Sequence, residues 1–113
     1  MKIYPFHIEE NGVLIHTRGD TSQLELNIKI DGVPLNTWNA TFSVKHYPDD
    51  DSYLYQVDFN QSTPCMITHN LTADLPYGTY WWDIQITYTD DNGNMQYKTI
   101  GAFPYVLKPD VTD

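Results

Sequence analysis

The stretch "TYWWDIQITYTDDNGNMQYKTIGAF", residues 79–103, decides the fold class. Its hydrophobic period is two. Tyr80, Trp82, Ile84, Ile86 and Tyr88 fall on one face, and Trp81, Asp83, Gln85 and Thr87 on the other. Strict alternation over this length describes a half-buried strand. At its far end Asn92-Gly93 supplies two positions that accept positive φ, the strongest short signal for a hairpin. "MQYKTIGAF" then returns as the partner strand. Pro104 breaks that strand or places it at an edge, because proline cannot donate to a ladder, and "YVLK" extends it.

The same period recurs upstream. "LELNIKI" sets Leu24, Leu26, Ile28 and Ile30 against Glu25, Asn27 and Lys29, and turn chemistry follows at Asp31-Gly32. "ATFSVKH" directs Phe42 and Val44 inward and Thr41, Ser43 and Lys45 outward. "SYLYQVDF" lines up Tyr53, Tyr55, Val57 and Phe59, and "CMITH" is a short strand. Thr72 to Leu75 has room for one helical turn before Pro76 and no more. Seven to nine short strands, with turn signals every 8–12 residues, predict an all-β chain: an antiparallel immunoglobulin-like β-sandwich forming a single domain over residues 1–113, with a small closed barrel as the alternative.

Bulk properties bound the function. The chain has 113 residues, enough for one core without disulfide or metal staples. Fifteen acidic residues against six basic ones give a net charge of −9. That charge opposes a phosphate backbone and an anionic bilayer, so neither nucleic acid nor membrane is an expected partner. Cys65 is alone, which excludes an internal disulfide and the Cys–Trp–Cys pin of antibody domains. Its apolar strand setting predicts a buried, inert thiol. The start, "MKIYPFHIEENG", lacks the apolar core of a signal peptide, and no segment approaches a membrane-spanning length.

The residues that could carry chemistry form no recognisable machinery. His7, His16, His46 and His69 are scattered, with no i, i+2 or i, i+4 pair, and read as surface or satisfied structural histidines. Asp90-Asp91-Asn92-Gly93-Asn94 has the oxygen density of a calcium loop, yet Met95 stands where the loop needs its glycine and no distal Glu follows. A hairpin turn accounts for it. No serine has a nucleophile-elbow context and no glycine-rich phosphate loop is present. No catalytic, cofactor or metal residues are therefore assigned, and the chain is not expected to be an enzyme. Exposed aromatics are the remaining candidates. Trp38, Tyr77 and Trp81 form the candidate contact surface, for protein or for sugar.

Arg18-Gly19-Asp20 spells a cell-adhesion tripeptide, but adhesion needs an exported, protruding loop. Gly19, Asp20 and Thr21 read instead as a structural turn, with glycine supplying an unusual conformation and the two side chains bonding nearby backbone. On that reading, Asp20→Ala costs on the order of 1 kcal/mol.

The order of motifs also carries a resemblance. Gly19-Asp20-Thr21 leads into a strand; Asp31, Gly32 and Pro34 form a turn; Phe42, Val44 and Lys45 follow. Then come Leu75, Gly78, Tyr80, Trp82, Asp83 and Ile84, a hairpin, Gly101 and Phe103, and Asp110-Val111-Thr112. Over residues 16–112 this resembles small phage and prophage tail proteins, in particular the N-terminal domain of baseplate upper proteins. The resemblance implies a non-catalytic structural or protein-interaction module, a tail or baseplate accessory or adaptor subunit. Its partners would be other phage tail or baseplate proteins, in the virion or in the bacterial cytoplasm before assembly. Two alternatives stand beside it: a carbohydrate-binding module using the exposed aromatics, with a glycan as partner, and a bacterial surface adhesion domain.

Overall fold

The computed structural model describes residues 2–4, 7–8, 12–25, 28–30 and 32–109. The described residues are all-β apart from one helical turn. In order the strands are β1 (Lys2–Tyr4), β2 (His7–Ile8), β3 (Leu14–Thr17), β4 (Ser22–Glu25), β5 (Lys29–Ile30) and β6 (Val33–Pro34). Then come β7 (Asn39–Lys45), β8 (Tyr55–Asn60), β9 (Cys65–Ile67), the turn α1 (His69–Thr72), β10 (Gly78–Thr89) and β11 (Met95–Lys108).

A three-stranded sheet has the order β1-β4-β9, and a six-stranded sheet the order β2-β3-β11-β10-β7-β8. A small hairpin, β5-β6, stands apart from both. Pairings are antiparallel except one. β3 runs parallel to β11, with Leu14 beside Tyr105 and Lys108 beside Thr17. The larger sheet is therefore mixed, which corrects the expectation of a wholly antiparallel architecture. The chain passes from β3 through the three-stranded sheet and back before laying down β11, and a crossover of that kind permits parallel pairing.

Buried side chains of the two sheets form one cluster. Leu24, Cys65 and Ile67 come from the smaller sheet; Phe42, Val44, Trp82, Ile84, Ile86, Tyr105 and Leu107 from the larger. Alternation in β10 matches its burial: Tyr80, Trp82, Ile84 and Ile86 are inside, and the residues between them reach the other face. Phe42 lies 6.1 Å from Trp82 in a stacked arrangement, and Phe103 packs on the same indole at 5.5 Å.

Four local expectations change. The run expected as one strand from Leu24 to Ile30 is divided: β4 belongs to the three-stranded sheet, and Lys29–Ile30 pairs back on Val33–Pro34. Leu26, Asn27 and Asp31 lie outside the described residues, as do Asp110, Val111 and Thr112. Tyr53 precedes β8 and is exposed, with the Lys45 ammonium 4.9 Å over its ring, so it does not share the core face of Tyr55. The helical turn sits three residues earlier than expected, at His69–Thr72.

The fourth change is in β11. Trp82 is paired with Phe103 but Asp83 with Gly101, so Ala102 is an extra residue, a β-bulge. Beyond it the core-facing positions switch from odd to even numbers: Ile100 lies opposite Ile84, and Lys98 opposite Ile86. Gly101 makes this possible. Its φ is +117°, and a Cβ there would stand 2.7 Å from the Trp82 carbonyl oxygen.

Candidate functional site

The aromatics expected at a contact surface are not brought together. Trp38 is buried, with only 4% of its surface exposed. It packs edge-on against Phe59 at 5.6 Å, and its backbone N–H donates to Gln61 Oε1 at 3.0 Å. This corrects its assignment as a contact residue: the indole closes the core where β7 begins. Trp81 is half-buried on the outer face of the large sheet, between Lys45 on β7 and Pro104 on β11. Tyr77 is exposed, and the Arg18 guanidinium lies 4.1 Å over its ring. Trp38 adjoins one end of β7 and Trp81 faces the other, roughly 20 Å apart at strand spacing. The three make no shared platform.

The turn here runs from Thr17 to Asp20, with Arg18 and Gly19 at its centre and Thr21 beyond it, and it is fastened differently from the expectation. The Gly19 N–H donates to Thr72 Oγ1 at 2.8 Å, and its carbonyl oxygen lies 2.6 Å from His69 Nδ1. The Arg18 N–H donates to the Lys108 carbonyl at 2.9 Å, and the Asp20 N–H to the Thr17 carbonyl at 3.2 Å. α1 thus acts as a clip that grips the Gly19 backbone, while the Asp20 and Thr21 side chains are exposed. Arg18, laid on Tyr77, is held to the body of the protein rather than presented beside Asp20.

The sequence allowed His16 to be a satisfied structural histidine but did not show the buried polar chain it joins. His16 Nδ1 lies 2.6 Å from the Tyr105 hydroxyl, and His16 Nε2 lies 3.0 Å from Ser22 Oγ. The Tyr55 hydroxyl donates to that of Tyr105 at 3.0 Å. The chain Ser22–His16–Tyr105–Tyr55 links β4, β3, β11 and β8, and so ties the two sheets through the core. Burial pushes the His16 pKa down to about 4, against the opposing pull of the Asp20 backbone and carboxylate. Burial likewise raises Tyr105 and Tyr55, and pushes the Cys65 thiol up to about 12. At neutral pH His16 is an uncharged link, and Cys65 is a protonated, unreactive thiol. The signal in the sequence was slight: a β-rich "LIHT" with His16 in phase with buried Leu14.

Several carboxylates are occupied locally. Asp90 accepts from the Asn92 and Asn94 N–H groups at 3.0 and 2.9 Å and from Gln96 Nε2 at 3.0 Å, and these bonds hold it below the usual carboxylate range. It is the knot of the hairpin turn. On the outer face Asp83 lies 4.0 Å from the Lys45 ammonium; burial raises its carboxyl and Lys45 draws it back. Thr41 donates to Asp58, and Gln56 to Ser43, continuing a polar ladder across β7 and β8. Among the described residues no cluster of three His, Cys, Asp or Glu side chains could hold a metal, and no helix is long and apolar enough to cross a membrane.

Two features face outward without such use. One is the far end of the β10–β11 hairpin. Met95 and Tyr97 are exposed there, and exposed Val33 lines a cleft of about 470 Å³ between the β5–β6 hairpin and Tyr88–Asp91. The other is the edge of β11. β3 covers it only from Tyr105 to Lys108. From Met95 to Gly101 that edge has no strand beside it among the described residues. Compared with protein-family models, curated proteins and solved structures, the chain matches none.

Proposed function

We propose that the chain is a non-catalytic structural and protein-interaction module of phage or prophage origin, built as one immunoglobulin-like β-sandwich. It would act as an accessory or adaptor subunit of a tail or baseplate, in the virion. The observation that carries the interaction reading is the half-open edge of β11: among the described residues no strand pairs with that edge from Met95 to Gly101, beside exposed Met95 and Tyr97. Open edges are the places where a neighbour's strand can join. The side chains best suited to chemistry, His16, Tyr55, Tyr105, Ser22 and Cys65, are instead consumed in holding the two sheets together.

The topology supports the immunoglobulin-like reading. On that reading β1-β4-β9 would be the A-B-E side of such a sandwich, and β11-β10-β7-β8 strands G, F, C and C′ of the other. The phage assignment rests on the order of motifs between residues 16 and 112. The carbohydrate alternative loses Trp38 to the core and retains Tyr77 and Trp81 as separate residues; the adhesion alternative has Arg18 drawn onto Tyr77.

The test is mass spectrometry of tail particles purified from induced cells that encode the chain, with the flanking genes read alongside. The chain should co-sediment with the particles in a fixed ratio to known tail proteins. Recovery only from the free soluble fraction, in a neighbourhood without tail genes, overturns the assignment.

A further inference from the structure

We infer that the open edge of β11, Met95 to Gly101, accepts an extended strand from a different protein, one that carries a carboxylate at its centre. The inference rests on the reading of the chain as an interaction module, but not on the source of the partner.

The edge has the dimensions of a strand site. Seven residues at about 3.3 Å each span roughly 23 Å, close to an ordinary strand. β3 already occupies the same edge from Tyr105 onward, so an added segment would continue its line. The two faces differ. Met95, Tyr97 and Thr99 lie opposite Thr89, Thr87 and Gln85, on the outer face, where Met95 and Tyr97 are largely exposed. Gln96, Lys98 and Ile100 lie opposite Tyr88, Ile86 and Ile84, on the core side. Lys98 is exposed although it points that way.

Lys98 selects the occupant. It is the single charged residue between Met95 and Phe103. It is also the midpoint of the open stretch. If a second copy of the chain paired there antiparallel with full overlap, Lys98 would face the Lys98 of its copy, and a shift of two residues, the smallest that keeps both core sides on one face, would leave the two ammonium groups diagonal neighbours. Like charges in that position oppose pairing. An inward-facing lysine with a bulge behind it is also how natural edges resist indiscriminate addition. A foreign strand with Asp or Glu opposite Lys98, and β-branched side chains beside Tyr97 and Thr99, satisfies both faces at once.

The probe is a nine-residue peptide of alternating Thr and Val with Glu replacing the central Thr, compared with the same peptide carrying Lys there. Binding is read by NMR on the intact chain, from amide shifts and exchange protection. The Glu peptide should protect amides within Met95–Gly101 and bind roughly two- to five-fold more tightly than the Lys peptide. Lys98→Glu should reverse the preference and Lys98→Gln should erase it, with the rest of the spectrum unchanged. Three results would overturn the inference: no response at β11, equal affinities that are indifferent to both substitutions, or concentration-dependent self-association protecting the same amides. The particle experiment can fail while this one succeeds, and the reverse, so the two failures remain distinct.

Discussion

His16 shows how one buried side chain sets the pH response of the whole protein. Burial keeps the imidazole neutral in the folded state, where its pKa is about 4 against the opposing pull of Asp20; unfolding returns it to about 6.5. Between these values the unfolded chain binds a proton that the folded chain refuses. The contribution of His16 to stability therefore falls as pH drops from about 6.5 to about 4, by on the order of 3 kcal/mol, and changes no further below. Urea denaturation at steps from pH 7 to 4.5 should show this slope, and His16→Gln should flatten it. A slope that His16→Gln leaves intact would assign the pH response to carboxylates instead. Gly101 is a second residue whose replacement is costly. Gly101→Ala sets a methyl 2.7 Å from the Trp82 carbonyl oxygen at a φ of +117°, and should cost about 2–3 kcal/mol in the same denaturation assay. A midpoint equal to that of the natural chain would mean that the bulge relaxes freely.

At the scale of elements, the α1 turn is the least conspicuous and among the most informative. It is four residues long and has no intrinsic stability. Its value lies in Thr72, fully buried, whose hydroxyl accepts the Gly19 N–H. Thr72→Val preserves the shape and leaves that N–H without its acceptor, so it should cost about 1–2 kcal/mol. Asp20→Ala removes an exposed side chain and should change stability by less than about 0.5 kcal/mol, not by the 1 kcal/mol expected from a side-chain turn. Equal losses from the two variants would restore the earlier view of the turn. The contrast shows what was legible. β7, β9 and β10 were readable because alternation is a local property, printed along the chain in Phe42 and Val44 or in Trp82, Ile84 and Ile86. The Asn92-Gly93 hairpin was readable because its turn residues are local too. The clip on Gly19 joins residues 53 apart, and the bond from His16 to Tyr105 spans 89. No pattern of neighbours encodes either. The bulge at Ala102 was hidden because a single extra residue inverts the faces of β11, and alternation counted from one end fails at the other. Trp38 was misplaced for the same reason: a tryptophan in a turn-like stretch gives no sign of whether Phe59 lies beneath it.

For the molecule as a whole, the question is whether the two sheets unfold together. The three-stranded sheet is small and shares few backbone bonds with the larger one. What joins them is a common core, with Leu24, Cys65 and Ile67 packed among the side chains of β7, β10 and β11. The hydrogen-bonded chain from Ser22 to Tyr55 is added to that core. Removing Leu24 or Ile67 from the contact would expose the apolar face of β10, so neither sheet has a dry partner without the other. A single cooperative transition follows, despite a length of 53 Å along the long axis. Tryptophan fluorescence, which reports Trp38 and Trp82 in the large-sheet core, should coincide with far-UV circular dichroism across a urea titration at pH 7. Tyr55→Phe should shift both curves together, by about 1 kcal/mol, because it withdraws one donor from the chain without opening a cavity. Two separated transitions, or a Tyr55→Phe shift seen by one probe alone, would show that the sheets are independent units and that the polar chain ornaments the core without coupling it.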